Sequence, residues 1–301
     1  MSAATGAPRT RRRRRDWTGW IFVGPFMAVF VVVMAAPVVY AIYLSLFQTR
    51  LIGGTAFVGL ANYLDALQDP TFHTALLRVI GYLLVQVPVM LVLAAIAALA
   101  IDSARLYLSS VFRITIFLPY AVPAVVATLM WGFMYGTRYG LIGNLNDAFG
   151  WSLPNPLSAS WVIVAIGNIA VWSYVGYNML ILYSALQLIS KDLYEAAEID
   201  GAGTFRVIRA IKLPAMRPSL VVCIVFSVIG SFQLFNEPNV LKTLAPNAIA
   251  SGYTPNMYAY NLAFAGQQSS YAAAIAIVLG IVTVVVAYIV QAVGMRREGT
   301  R

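Results

Sequence analysis

The sequence predicts an all-α polytopic membrane protein with six transmembrane helices, on three observations. Of 301 residues, 60% are hydrophobic and 10% charged, against roughly 25% charged in a soluble domain, too few to cover a water-facing surface. Six windows match or approach the roughly 20 apolar residues needed to cross a hydrocarbon core about 30 Å thick. The basic residues are also unevenly shared between the loops.

Residues 1–16 form a basic tail containing Arg9 and Arg11 to Arg15. The first helix is expected over Trp17 to Phe47, interrupted only by Pro25 and Pro37. It is longer than the about 7–15 residues of a signal h-region, so it reads as a retained span. The second covers Ala75 to Ile101 and the third Ile114 to Tyr135. In the third, Pro119 and Pro123 each remove a helix hydrogen bond. Freed carbonyls at membrane depth need protein or a wet cavity to satisfy them, so this helix is either simply kinked or faces a pathway. The fourth helix covers Trp161 to Ile189 and the fifth Leu220 to Asn236, with Cys223 as a small apolar filler and an outer end near Phe235 to Pro238. The sixth covers Tyr271 to Val293, and residues 294–301 form a second tail. Residues 17–293 thus make one membrane domain.

With the Arg11 to Arg15 run in the cytoplasm, the loops on that side hold 16 of the 20 basic residues, leaving Arg50, Arg78, Arg138 and Lys242 outside. The positive-inside rule then places both termini and the 190–218 loop in the cytoplasm. The net charge of +9 reads as a topology signal beside anionic membrane lipid, with no nucleic-acid partner expected.

Several chemistries lack their residues. No Gly-Lys pair occurs, so there is no Walker A loop to cradle phosphates. His73 is the sole histidine and Cys223 the sole cysteine, which leaves no disulfide, no metal set and no Ser/His/Asp triad. Asp, Glu, Lys and Arg are absent from the span interiors, with Arg78, Arg113 and Glu237 at span ends; a proton relay would need buried ionisable groups. Asp65, Asp69, Asp147 and Glu237 are the outer acids available to a membrane enzyme, and none forms a convincing pair. The chain is expected to carry no catalytic residue, metal or cofactor.

The spans instead carry neutral polar groups and aromatics. Trp172, Tyr174, Tyr177 and Asn178 lie on the fourth helix, and Ser227, Ser231, Gln233 and Asn236 on the fifth. Tyr174, Tyr177 and Asn178 stand at i, i+3, i+4, and Ser227 and Ser231 at i, i+4, so each set forms one stripe. Such stripes suit a neutral sugar, which needs hydrogen-bonding groups and aromatic faces; they equally glue helices together in lipid.

The 190–218 loop reads as two short helices. Asp192 stands three before Glu195, a capping-box spacing. Gly201-Ala202-Gly203 breaks the chain, Thr204 is the expected N-cap, and a second helix runs from Phe205 until Leu213-Pro214. Phe205, Ile208 and Ile211 share one face, so an interfacial helix on lipid is one reading. The other is a docking hook: Glu195-Ala196-Ala197, three residues, Gly201, nine residues, then Ile211-Lys212-Leu213-Pro214.

That spacing, with Asp192 to Ala197, Asp200 to Gly203 and Leu118-Pro119-Tyr120-Ala121-Val122-Pro123, resembles the MalF-like class of permease subunits of binding-protein-dependent ABC sugar importers. The resemblance runs from about Trp17 to the last helix and is strongest to trehalose-importer permeases. It implies an ABC importer type I permease fold in the bacterial plasma membrane. The implied partners are a second homologous permease, an ATP-binding subunit dimer that holds ATP and Mg, and an extracytoplasmic sugar-binding protein or lipoprotein. Glu195, Ala196, Ala197, Asp200, Gly201, Phe205 and Arg206 would couple to the ATPase. Tyr120, Tyr177, Ser227 and Ser231 would meet the sugar, joined by Tyr174 and Asn178 from the fourth helix and Gln233 and Asn236 from the fifth. Three features depart from the pattern: Ala124 stands where the maltose relative has a hydroxyl, that relative's large periplasmic insertion is absent, and Gly-Gly-Pro is missing from Leu241 to Pro246. A disaccharide, trehalose first, is the expected substrate. The alternatives are a stand-alone secondary transporter or channel for a small neutral solute, and a polytopic membrane enzyme.

Overall fold

The computed structural model describes residues 18–50, 54–103 and 107–296. The tail at 1–16, Arg105 and the last five residues lie outside them. Among the described residues, five helices are long and apolar enough to cross a membrane: Gly19–Ser45, Pro70–Ile101, Val162–Leu186, Thr204–Leu241 and Ser269–Gly294. We call them the first, second, fourth, fifth and sixth spans. The third is a broken pair, Ser109–Ala121 and Ala124–Met134, bent by 96°, where one helix was expected.

The bend follows from Pro123. The residue before a proline is pushed out of the helical region, and Val122 is extended at φ −78°, ψ 127°. Leu118–Ala121 tightens into a 3₁₀ turn just before the break, and Val122 N–H closes onto the Pro119 carbonyl.

Two other prolines are absorbed without a break. Pro37 and Pro214 each follow by two residues a π-helical turn, Val31–Ala35 and Ile208–Lys212. A proline gives no N–H to the carbonyl four back and crowds it with its ring; a π turn beside it widens the helix. The 190–218 loop therefore departs from expectation. Its second helix, Thr204–Val207, runs through the π turn and Pro214 straight into the fifth span.

Buried side chains form three clusters. One, around Tyr82, Ile166, Leu241 and Met257, joins the second and fourth spans to the end of the fifth and the segment after it. Another, around Met90, Ala94, Met179, Leu182 and Met216, joins the second, fourth and fifth spans nearer the hook, and includes the buried Cys223 in the filler role expected of it. Phe72, Val79, Phe232 and Ile275 hold the second, fifth and sixth spans together. The first span buries only Ser45 and rests on the sixth.

A short hairpin departs from the all-helical expectation. Strands Phe47–Arg50 and Gly54–Phe57 pair antiparallel, with Phe47 opposite Phe57 and their rings edge to face at 5.4 Å. The Asn62 amide ties its base, donating to the carbonyls of Ser45 and Phe47.

Candidate functional site: a polar cavity and an exposed hook

The cavity begins where the third and fourth spans cross. A Cβ on Gly176 would lie 2.0 Å from the Ile116 carbonyl oxygen, so only glycine admits this backbone approach. The crossing brings the 3₁₀ turn onto the fourth span. Tyr120 stacks on Tyr177 at 4.8 Å and 17°, and meets Tyr174 edge-on at 6.0 Å.

The fifth span supplies the facing wall with Ser227, Gly230 and Ser231. Its regular helix stops at Phe232, and Asn236–Leu241 forms a short helix beyond. Carbonyls freed at that break find side chains: Thr254 donates to Leu234 and Asn256 to Phe232. Gln233, Asn236 and Glu237 are thereby turned onto the same cavity.

The cavity holds about 310 Å³, at the small end of the about 300–1,000 Å³ typical of ligand pockets. All eight residues singled out for a sugar, Tyr120, Tyr174, Tyr177, Asn178, Ser227, Ser231, Gln233 and Asn236, line it. They do not have equal freedom. Asn178 is buried and donates to the Tyr174 carbonyl at 3.0 Å and to Met90 Sδ at 3.6 Å. Ser231 is buried and donates to the Ser227 carbonyl. Tyr120, Tyr174, Gln233 and Asn236 are open. Trp172 turns away and packs on Trp131.

Sequence reasoning missed the second span's share, Tyr82, Gln86 and Met90. Their i, i+4, i+8 spacing was a usable signal, since Gln86 is the one side-chain amide between Ala75 and Ile101. It also left Glu237 at a span end, whereas Glu237 is part of the lining, which contains no Lys, Arg or His.

The hook lies beyond the far end of the fourth and fifth spans. Helix Lys191–Ile199 is capped by Ser190, whose hydroxyl accepts from Asp192 N–H; the expected cap, Asp192, sits in the first turn. Gly201 adopts φ +66°, with its N–H on the Glu198 carbonyl and that of Ala202 on Ala197. This is a Schellman ending, whose left-handed residue is usually glycine. Gly203, rather than Thr204, caps the next helix. Glu195, Ala196, Asp200, Gly201, Phe205 and Arg206 are exposed and Ala197 is half-buried. Ile199 is 87% and Phe205 76% exposed. Burial and the neighbouring Asp102 carboxylate push the Tyr194 phenol above its usual range.

At the N-terminal end of the second span, Asp69 accepts from Thr71 N–H, Phe72 N–H, Tyr258 OH and Tyr271 OH. Burial works to raise its carboxyl, but these bonds outweigh it and hold it below 3.8. Burial and the same carboxylate push Tyr258 up to about 12. Asp69 is a structural cap. Among the described residues no group of His, Cys, Asp and Glu is arranged to hold a metal ion, and His73 is exposed.

Residues 90–298 match the family described as "Binding-protein-dependent transport system inner membrane component". The chain belongs to that family. It is a multi-pass permease subunit of the inner membrane, and not an enzyme. The permease is 31% identical to the lactose transport system permease protein LacF of Rhizobium radiobacter, over 95% of this chain and 97% of that one. It is 34% identical to the arabinooligosaccharides permease AraP of Bacillus subtilis (strain 168), over 90% and 86%. Against the trehalose/maltose permease MalF of Thermococcus litoralis the identity is 32%, over 76% and 78%. It shares its fold with a chain of the bacterial alginate ABC transporter in complex with an alginate pentasaccharide-bound periplasmic protein, at a TM-score of 0.82 and 19% identity over 94% and 95%.

Proposed function

We propose that this permease is one half of the membrane pore of an ATP-driven importer for an uncharged di- or oligosaccharide, with trehalose the first candidate. One observation carries the reading: a single span, Thr204–Leu241, starts in the exposed hook and ends at the cavity, where it contributes Ser227, Ser231, Gln233, Asn236 and Glu237. A push on the hook is a push on the cavity wall.

The partners are a second related permease, two copies of an ATPase that bind ATP and Mg, and an extracytoplasmic sugar-binding protein. Both termini and the hook face the cytoplasm, in keeping with 16 of 20 basic residues on that side. Glu195 anchors the hook to the ATPase by charge-assisted hydrogen bonds, while Ile199 and Phe205 give it an apolar contact. Closure of the ATPase dimer rocks the helices and opens the cavity outward; hydrolysis resets it inward.

The lining supports a neutral sugar. The Tyr120 and Tyr177 rings offer apolar faces, and Gln233, Asn236 and Ser227 offer hydrogen bonds. Glu237, with no cation in the lining, disfavours acidic sugars. The names of the relatives span lactose, arabinooligosaccharides and trehalose/maltose, so the choice among neutral sugars rests on the trehalose-permease likeness.

The test is uptake by the complex in liposomes loaded with ATP, comparing labelled trehalose, maltose, lactose, arabino-oligosaccharides and a uronic-acid oligosaccharide. We expect ATP-dependent entry of a neutral sugar and exclusion of the acidic one. Uptake by the isolated chain without ATP would replace this reading with the secondary transporter.

A further inference from the structure

We propose that Asp102, Lys212 and Gln187 form the joint through which movement of the hook reaches the second span, and so that span's share of the cavity lining. This rests on the reading of the chain as half of an ATP-driven importer.

Lys212 Nζ lies 2.6 Å from Asp102 Oδ2, with the two side chains only 12% and 10% exposed. It is the one ion pair among the described residues. Gln187, which caps the end of the fourth span, donates to the other oxygen, Asp102 Oδ1, at 2.9 Å. The Lys212 ammonium also sits 5.5 Å from the centre of the Tyr194 ring, on the first hook helix. Four segments therefore meet at one point: the ends of the second and fourth spans, the hook helix, and the last residue of the π turn.

Local forces do not explain Asp102. It caps the C-terminal end of the helix Pro70–Ile101, where the helix dipole disfavours an anion. Its charge is offset from 110 residues away, by Lys212. Lys212 in turn stands two before Pro214, where the fifth span has its widened turn.

The mechanism needs such a tie. The fifth span is continuous with the hook and moves with it. The second span is not joined to the hook by the chain, yet it supplies Tyr82, Gln86 and Met90 to the cavity. At that end the two spans also share an apolar cluster that includes Ala98, Met216 and Leu220. Apolar contacts are non-directional and permit sliding; a polar joint built on a nearly buried ion pair, with the exposed Gln187 on its rim, resists it.

The experiment uses the complete reconstituted complex and reads sugar moved per ATP hydrolysed, together with thermal stability, for D102N, K212M and the D102N/K212M pair. Each single change strands a buried group, so stability falls in both. The double variant removes both charges and recovers stability, because replacing a buried pair by neutral side chains is often tolerated. Sugar per ATP should fall about tenfold, within the about 5–150-fold span of intramolecular couplings, in the singles and equally in the double. A double variant that regains the wild-type ratio along with its stability would reduce the joint to a packing contact, as would singles with an unchanged ratio. If a single fails to assemble, the double alone decides. A wild-type complex without ATP-driven uptake would remove the importer reading itself, and the joint with it.

Discussion

The cavity and the hook differ in where their side chains find partners. Around the cavity, groups are partly spent on each other: Tyr120 stacks on Tyr177, Asn178 bonds back to Tyr174 and Ser231 to Ser227. On the hook, Glu195, Ile199, Phe205 and Arg206 point outward, and order comes from the backbone through the Gly201 ending. A cavity built this way should resist substitution poorly but hold its shape when empty. A hook built this way should accept surface changes without loss of fold, because what those changes remove is a contact to another molecule.

Gly176→Ala gives the largest expected effect. The added methyl meets backbone at 2.0 Å, and overpacking of this kind costs about 1–3 kcal/mol. The third and fourth spans must part, which separates Tyr120 from Tyr177. Uptake should be lost and thermal stability lowered together; a variant normal in both would break the account of the crossing.

Gly201→Val comes next and should separate the two regions. A Cβ there meets nothing within 4 Å, so the cost is backbone strain alone, about 1–2 kcal/mol at a left-handed position. We expect the spans to stay folded while recovery of the ATPase on pull-down falls about tenfold, the effect of about 1.4 kcal/mol in an association. Gly201→Asn, a residue that tolerates this conformation, should retain most of it.

Tyr177→Ala should lower uptake about tenfold, equivalent to about 1.4 kcal/mol of lost transition-state binding, and leave ATPase recovery unchanged. Glu195→Ala should do the converse, with thermal stability unaltered. Identical phenotypes for the two would erase the distinction between regions.

The smallest effect is at the cap of the second span. Asp69 is held below 3.8 in the fold, so the stability it contributes is present above its unfolded value and lost as pH falls through the lower folded one. Between about pH 5 and about pH 3 the wild-type melting temperature should drop further than that of Asp69→Asn. Parallel curves would show that Asp69 contributes nothing.

Much of this was legible in the chain. Apolar runs located the spans because hydrocarbon thickness sets their length. The hook was visible because glycine at 201 and the Glu195-Ala196-Ala197 helix act within a few residues. Tyr174, Tyr177, Asn178, Ser227 and Ser231 were named because stripes on one helix follow from its period; Tyr120 came from the likeness of its Leu-Pro-Tyr motif, and Gln233 and Asn236 from their polar character on the fifth helix. Caps were read less well: Ser190 and Gly203 took the positions expected of Asp192 and Thr204, since which residue leaves helical geometry depends on how the preceding span ends.

What the linear pattern left open was every relation between elements. Pro123 permits a bend, but 96° is set by the third span packing against Gly176 on the fourth. The placing of Tyr82, Gln86 and Glu237 in the lining, and the pairing of Asp102 with Lys212, join residues far apart in sequence. Periodicity and motif spacing report forces that act along one helix; the angle at which two helices cross is chosen by close packing among all of them, and that information is not local to any segment.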